Sequence, residues 1–131
     1  MRMLTALFLL VLASNVFASE TKLICNDQNS HAVYQLTVSE DLLSTSLTTL
    51  LADSSVLSAG TKTLSYEEGE SSETISTFAG RTNNGLNIVL LFNAKKAASL
   101  SSGEILDVGV YHQQHKTDIL SGHTEFLCSK N

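Results

Sequence analysis

The chain has 131 residues, no proline and no tryptophan, and its 13 acidic residues outnumber its 8 basic ones, for a formal net charge of −5. A mildly acidic chain with scattered bases is a poor nucleic-acid binder, because affinity for nucleic acid depends on neutralising phosphates. It is also a poor binder of anionic membrane surfaces.

Residues 1–18 have the layout of a secretory signal peptide. Arg2 supplies a positive start, residues 4–12 are almost wholly apolar, and Ala18 is a small residue at the expected cleavage position. The apolar run is too short to span a bilayer comfortably, although an uncleaved anchor helix is the alternative. We expect cleavage after Ala18, a single mature domain over residues 19–131, and an exported location, periplasmic or secreted, without a membrane anchor.

Two cysteines, Cys25 and Cys128, lie near the two ends of the expected mature domain. An even cysteine count in an exported chain favours a disulfide. In the chain-entropy model, a bridge across ~100 residues stabilises the fold by roughly 4–5 kcal/mol. A free thiol pair and an intermolecular bridge are the alternatives. A catalytic redox role is not supported, because the chain has no Cys-x-x-Cys spacing.

Short apolar or alternating segments separated by turn residues follow along the mature chain. They lie at residues 23–26, 31–38, 42–52, 61–66, the two arms of a hairpin within 74–93, 105–112, 117–120 and 123–128. Residues 42–52 also have leucines at helical spacing, but the serines and threonines between them favour a strand. Residues 93–102 are interpreted as one helical turn capped by Asn93 or as a loop.

About eight short strands and at most one short helix predict an all-β domain, either a small antiparallel β-barrel or a β-sandwich. Closure into a barrel removes the exposed strand edges. A disulfide between the first and last strands suits a closed up-and-down barrel, because those two strands are then neighbours.

The hairpin of residues 74–93 contains Asn84-Gly85, which is the strongest short signal for a two-residue turn. A two-residue loop at this position places Arg81 opposite Ile88. The remaining pairs follow from the same register. In this register, apolar side chains lie on both faces of the hairpin.

A second apolar face of this hairpin is the candidate binding surface, and its residues are Phe78, Val89 and Leu91. If another element covers this face, the hairpin is purely structural. If the face is open, it is available to a ligand or a partner.

Three histidines near the end of the chain, His112, His115 and His123, are weak candidates for zinc ligands together with Asp118. Side chains three residues apart on a strand point to opposite faces, so exposed turn histidines are the preferred interpretation. We therefore expect no metal site and no cofactor.

The concentrated charge of the chain lies at residues 67–73, which contain four glutamates. A solvated acidic loop is the preferred interpretation, and calcium binding or docking to a basic partner are the functional alternatives. The spacing does not match an EF-hand. The chain also lacks a Gly-x-Ser-x-Gly elbow and a glycine-rich phosphate loop, so it is predicted not to be an enzyme.

Two functional hypotheses remain. The first is an exported non-enzymatic β-domain that binds a protein or envelope partner. The alternative is a small β-barrel that carries an apolar small molecule, with the two-sided apolar hairpin lining a cavity. A barrel interior filled by side chains favours the first hypothesis, and an open lumen favours the second.

Overall fold

Eight antiparallel strands close into a barrel in a computed structural model of the chain, within the residues that it describes, 20–53, 61–81, 87–113 and 122–130. The strands are β1 Thr21–Asp27, β2 Val33–Val38, β3 Ser44–Leu51, β4 Thr61–Tyr66, β5 Ser76–Arg81, β6 Asn87–Phe92, β7 Ile105–Gln113 and β8 Gly122–Lys130. Each strand pairs with the next, and β8 pairs with β1. The all-β prediction is confirmed, and the architecture is the barrel rather than the sandwich.

Alternating side chains along each strand point into the barrel and fill it. On β2 the inward residues are Tyr34, Leu36 and Val38, and each has no exposed surface. Most of residues 42–52, a segment with both helical and strand patterns, forms β3. The strand interpretation is therefore confirmed for that segment.

Stacked aromatic rings are part of the filled interior. The rings of Tyr34 and Phe126 are stacked with centroids 4.8 Å apart, and those of Phe78 and Phe92 with centroids 5.3 Å apart. All four side chains are almost completely buried. An eight-stranded barrel is just wide enough for side chains to fill its interior, and the described residues show this filling.

The seam between the first and last strands carries the disulfide. Cys25 and Cys128 lie directly opposite each other on β1 and β8 and are bridged. Both cysteines point into the core and have no exposed surface. The predicted bridge and the predicted neighbourhood of first and last strands are both confirmed.

The predicted register of the central hairpin is wrong by one residue. Arg81 lies opposite Asn87, not Ile88, so the pair encloses residues 82–86. A shift of one residue moves every side chain to the other face of a sheet. The observed register turns Phe78 and Leu90 into the core, where these large apolar side chains are fully buried. The observed register therefore places both large side chains on the buried face of the hairpin.

One short helix, α1 Ala94–Ala98, follows β6. Asn93 caps it, because the Lys96 backbone N–H donates to Asn93 Oδ1 at 3.0 Å. The helix buries Ala94 and Ala97 against one end of the barrel. Two alternatives were predicted for this segment, a helical turn capped by Asn93 and a loop. The structure confirms the helical turn.

The described residues do not include the signal peptide of residues 1–18, the turn Asn84-Gly85 or the short segment at 117–120, so these expectations lie outside them. Across the part of the chain that is described, the structure has no helix long and apolar enough to cross a membrane.

Candidate functional site: a cleft at one end of the barrel

The up-and-down strand order sends successive connections to opposite ends of the barrel. Three of the connections, residues 39–43, 67–75 and 93–104, meet at the same end. We call this end the helix end, because α1 lies there. The site is assembled from these three connections.

The turn of residues 39–43 is built around Asp41. Its Oδ1 accepts the Ser39 hydroxyl at 2.7 Å and the Leu43 backbone N–H at 3.0 Å. These bonds favour the carboxylate, so the Ser39 hydroxyl first and then the Leu43 N–H hold the pKa of Asp41 below its ordinary value. Leu42 has a φ of 62°, which is uncommon for a bulky residue.

The acidic connection, residues 67–75, is ordered by its own hydrogen bonds. It begins with a 3-10 turn at Glu68–Glu70. The Ser71 hydroxyl donates to the Glu67 carbonyl at 2.7 Å and accepts the Thr77 backbone N–H at 3.0 Å. The Thr77 hydroxyl donates to the Glu70 carbonyl at 2.8 Å. The connection packs over Thr77, which is buried although it points away from the barrel axis.

The start of α1 forms the third wall. The Ala94 backbone N–H lies 3.4 Å from the Ser76 hydroxyl oxygen, which links the helix to the beginning of β5. Asn93 and Lys95 face the space between the helix and the acidic connection. The wall is therefore fixed both by the helix cap and by its bond to the barrel.

The three walls enclose a cleft with a volume of about 580 Å³, which we call the end cleft. Its lining combines apolar side chains with charged ones. The apolar residues are Leu42, Leu43, Tyr66 and Ala94. The charged residues are Asp41, Glu68, Glu73 and Lys95, and Ser71, Ser72, Ser76 and Asn93 complete the lining. A volume of this size is in the range of small-ligand pockets, roughly 300–1,000 Å³.

The predicted binding surface is divided between two faces of the sheet. Phe78 lies opposite Leu90 and is fully buried in the core. Val89 and Leu91 point outward and are half-buried. The three residues therefore form no common surface, because the register differs by one residue from that of a two-residue loop.

Val89 belongs to a row of side chains on the outside of the barrel. Paired positions across β5 to β8 place Ala79, Val89, Tyr111 and His123 side by side. The Tyr111 and His123 rings stack with centroids 4.5 Å apart. Most of this row is half-buried, so its apolar area is modest.

A hollow of about 300 Å³ lies beside this row, between Glu67 and Arg81. Arg81 Nε donates to Asn87 Oδ1 at 2.9 Å, which fixes the guanidinium beside Val89. The hollow is smaller than the end cleft and has no exposed large apolar side chain in its lining.

The described residues do not assemble the zinc site for which the histidines were weak candidates. His112 lies opposite Gly122 and His123 lies opposite Tyr111, so the two imidazoles are on opposite faces of the sheet. His115 lies outside the described residues. Within residues 20–53, 61–81, 87–113 and 122–130, no three histidine, cysteine or acidic side chains are grouped so as to hold a metal ion.

At the other end of the barrel, Asp27 is a buried carboxylate that the sequence did not single out. It accepts the Asn29 backbone N–H at 2.9 Å, the Ser30 hydroxyl at 2.9 Å and the Thr124 hydroxyl at 2.5 Å. These bonds fix the β1–β2 turn and join it to β8. Because these three donors satisfy the hydrogen-bonding capacity of its carboxylate, Asp27 has a structural role.

Sequence analysis did not predict most of the end cleft. The acidic loop was identified, with docking to a basic partner as one alternative. No sequence signal indicated that residues 39–43 and the start of α1 would lie beside it, since the closed barrel brings these distant segments together. Comparisons of the chain with protein-family models, curated proteins and solved structures find no match. A functional assignment therefore depends on the geometry of this chain.

Proposed function

We propose that the protein is an exported, non-enzymatic binding protein that recognises a protein partner through the end cleft. The observation that carries this proposal is the position of the free space. Side chains fill the barrel interior in the described residues, whereas the end cleft of about 580 Å³ is open to the outside.

Exposed apolar side chains at the cleft favour a protein partner. Leu43, in the cleft lining, is 54% exposed, and Ile75, on the acidic connection, is 44% exposed. Protein interfaces combine an apolar centre with a polar rim, and the end cleft has both kinds of side chain. By contrast, Val89 and Leu91 on the outer sheet face are half-buried and offer less apolar surface.

Two observations support export. The first eighteen residues have the pattern of a signal peptide. The Cys25–Cys128 disulfide is of a kind that persists in oxidising compartments and is rare in the cytosol.

The packing of the interior weighs against the carrier hypothesis. The fully buried rings of Tyr34 and Phe126 stack inside the barrel, in the space that a carrier would need for its ligand. An apolar ligand would therefore have to displace well-packed aromatic side chains, which costs several kcal/mol.

Cross-linking from the cleft tests the proposal. A photoreactive benzoylphenylalanine at position 43 is introduced into the full chain in its native host, the cross-linked protein is identified, and it is then purified and titrated with the mature protein by calorimetry. We expect a saturable complex that Leu43→Asp weakens at least tenfold.

Leu51→Asp is the matched control, because Leu51 is 55% exposed but lies at the other end of β3. This variant should bind as the unmodified protein does. The proposal is wrong if no cross-linked protein rebinds in purified form or if both variants weaken binding equally. Release of one apolar molecule per chain, detected by organic extraction and mass spectrometry, would instead support the carrier.

A further inference from the structure

We propose that the end cleft takes a basic side chain, lysine or arginine, from an extended segment of the partner protein. This inference rests on the proposed function and specifies the chemistry of the partner. It follows from the combination of side chains that line the cleft and from the way the fold holds them.

The charge of the lining selects a cation. Three carboxylates, those of Asp41, Glu68 and Glu73, face the cleft together with one ammonium group, that of Lys95. Both Glu68 and Glu73 are exposed. Their negative charge is thus available to a ligand, and an anionic segment would be repelled.

The apolar part of the lining selects a long side chain. Lysine and arginine carry a charged head on an aliphatic stem, and such stems cover apolar surfaces while the head remains at a polar rim. Leu42 and Tyr66 offer an apolar surface, and both pack against the barrel core. The Tyr66 ring can also attract a cation over its face. A purely apolar segment would instead remove carboxylates from water without a partner.

The walls of the cleft are fixed before any ligand arrives. Asp41 is held by Ser39 and Leu43, and the acidic connection is held through Ser71 and Thr77. A site whose parts are already in place loses less conformational entropy on binding. The carboxylates at the cleft are therefore presented by ordered backbone segments.

The rim indicates a protein segment rather than a free amine. Leu43, in the cleft lining, and Ile75, two residues after Glu73 in the chain, expose apolar surface, and a small amine has nothing to place against them. Residues that flank a basic side chain in an extended segment can contact both. The expected occupant is thus a basic residue with apolar neighbours.

A peptide array tests this chemistry. Short extended peptides carry Arg, Lys, Gln, Glu or Leu at two central positions, flanked by leucines, and are probed with the full disulfide-bonded protein. We expect retention on Arg and Lys peptides only, with an affinity that falls as salt rises from about 0.1 to about 1 M, since the screening length shrinks from ~10 to ~3 Å.

The double variant Glu68→Gln/Glu73→Gln should weaken retention about tenfold, because it removes two surface charge contacts. Asp107→Asn/Glu125→Gln is the matched control, since it removes two exposed carboxylates from the outer faces of β7 and β8. This control should retain the same peptides equally well.

The inference is overturned by equal retention of all peptides whatever their central residues, by equal loss in both double variants, or by no retention at all. Free arginine amide that competes as well as the peptides would also overturn it, since the site would then be for a small amine. A partner that cross-links at position 43 and binds independently of Glu68 and Glu73 would leave the proposed function intact and remove only the cationic occupant.

Discussion

Gly80 on β5 lies so close to Thr63 on β4 that a Cβ at Gly80 would come within 2.5 Å of the Thr63 carbonyl oxygen. The Leu64 side chain would lie at 2.8 Å from the same Cβ. Absence of a side chain at this position therefore permits the close approach of the two strands.

Gly80→Ala should destabilise the protein by about 1–3 kcal/mol, because the obstructing atom is backbone and the sheet must move to accommodate the methyl group. Gly69→Ala is the matched control, since nothing lies within 4 Å of a Cβ there. Urea unfolding followed by circular dichroism measures both free energies of unfolding. Equal stability of the two variants would contradict the close contact.

The disulfide joins strands whose cysteines are 103 residues apart in sequence. Replacement of both cysteines by alanine should lower the free energy of unfolding by about 4–5 kcal/mol, because the unfolded chain regains the entropy of an open loop. The measurement is urea unfolding of the variant beside the oxidised protein, with the reduced unmodified protein as a control for side-chain size. A loss below about 1 kcal/mol would show that barrel closure does not need the bridge.

Phe126 stacks on Tyr34 inside the barrel, where both side chains are fully buried. Phe126→Ala should cost about 3–5 kcal/mol, since it removes a large side chain and leaves a cavity. Leu127→Ala, the next residue but on the outer face and only half-buried, should cost about 1 kcal/mol. Thermal or urea unfolding distinguishes them, and similar losses would argue against a filled interior.

The turn at the helix end makes stability depend on pH in the acid range. The Ser39 hydroxyl and the Leu43 N–H lower the pKa of Asp41 from its ordinary 3.8. Because the folded-state pKa is depressed, the stabilisation is fully present above pH 3.8 and is lost as pH falls through the lower folded value.

Ser39→Ala should therefore raise the pKa of Asp41 toward 3.8, as measured by NMR titration of the carboxyl carbon. Glu104 is the internal control, because its pKa is lowered mainly by the Ser101 backbone N–H and should not change in this variant. An unchanged Asp41 titration would show that the Ser39 hydrogen bond does not form in solution.

Processing of the first eighteen residues is directly measurable. We expect N-terminal sequencing of protein recovered from the exporting host to begin at Ser19, because Ala18 occupies the small-residue cleavage position. Ala18→Arg should block cleavage and leave the longer chain, whereas Glu20→Gln should not. A mature protein that still begins at Met1 would disprove the signal-peptide assignment.

Strand positions were predictable because they depend on local patterns. Alternation at Ala32, Tyr34, Leu36 and Val38 predicts the inward face of β2, and all four side chains are buried. The helical turn after β6 was recognisable from Asn93, whose side chain caps it. Such signals lie within a few residues of each other, so the sequence alone reveals them.

The hairpin register was not predictable in the same way. Asn84-Gly85 favours a two-residue turn, yet the pairing of Arg81 with Asn87 shows that the described strands follow another register. Burial of Phe78 and Leu90 on one face favours the observed register, since each fully buried large side chain contributes about 1.5–3 kcal/mol. Tertiary packing therefore also separated Phe78 from Val89 and Leu91.

The sequence by itself determined the all-β composition, the approximate strand positions and the one intramolecular bridge open to Cys25 and Cys128, because alternation is local and two cysteines allow one such bridge. Only the tertiary structure decided the barrel, the hairpin register and the end cleft. Closure of the barrel brings residues 39–43, 67–75 and 93–95 to one end, where their side chains share a cleft. These segments are tens of residues apart in sequence, and no local pattern records which connections a closed sheet places together.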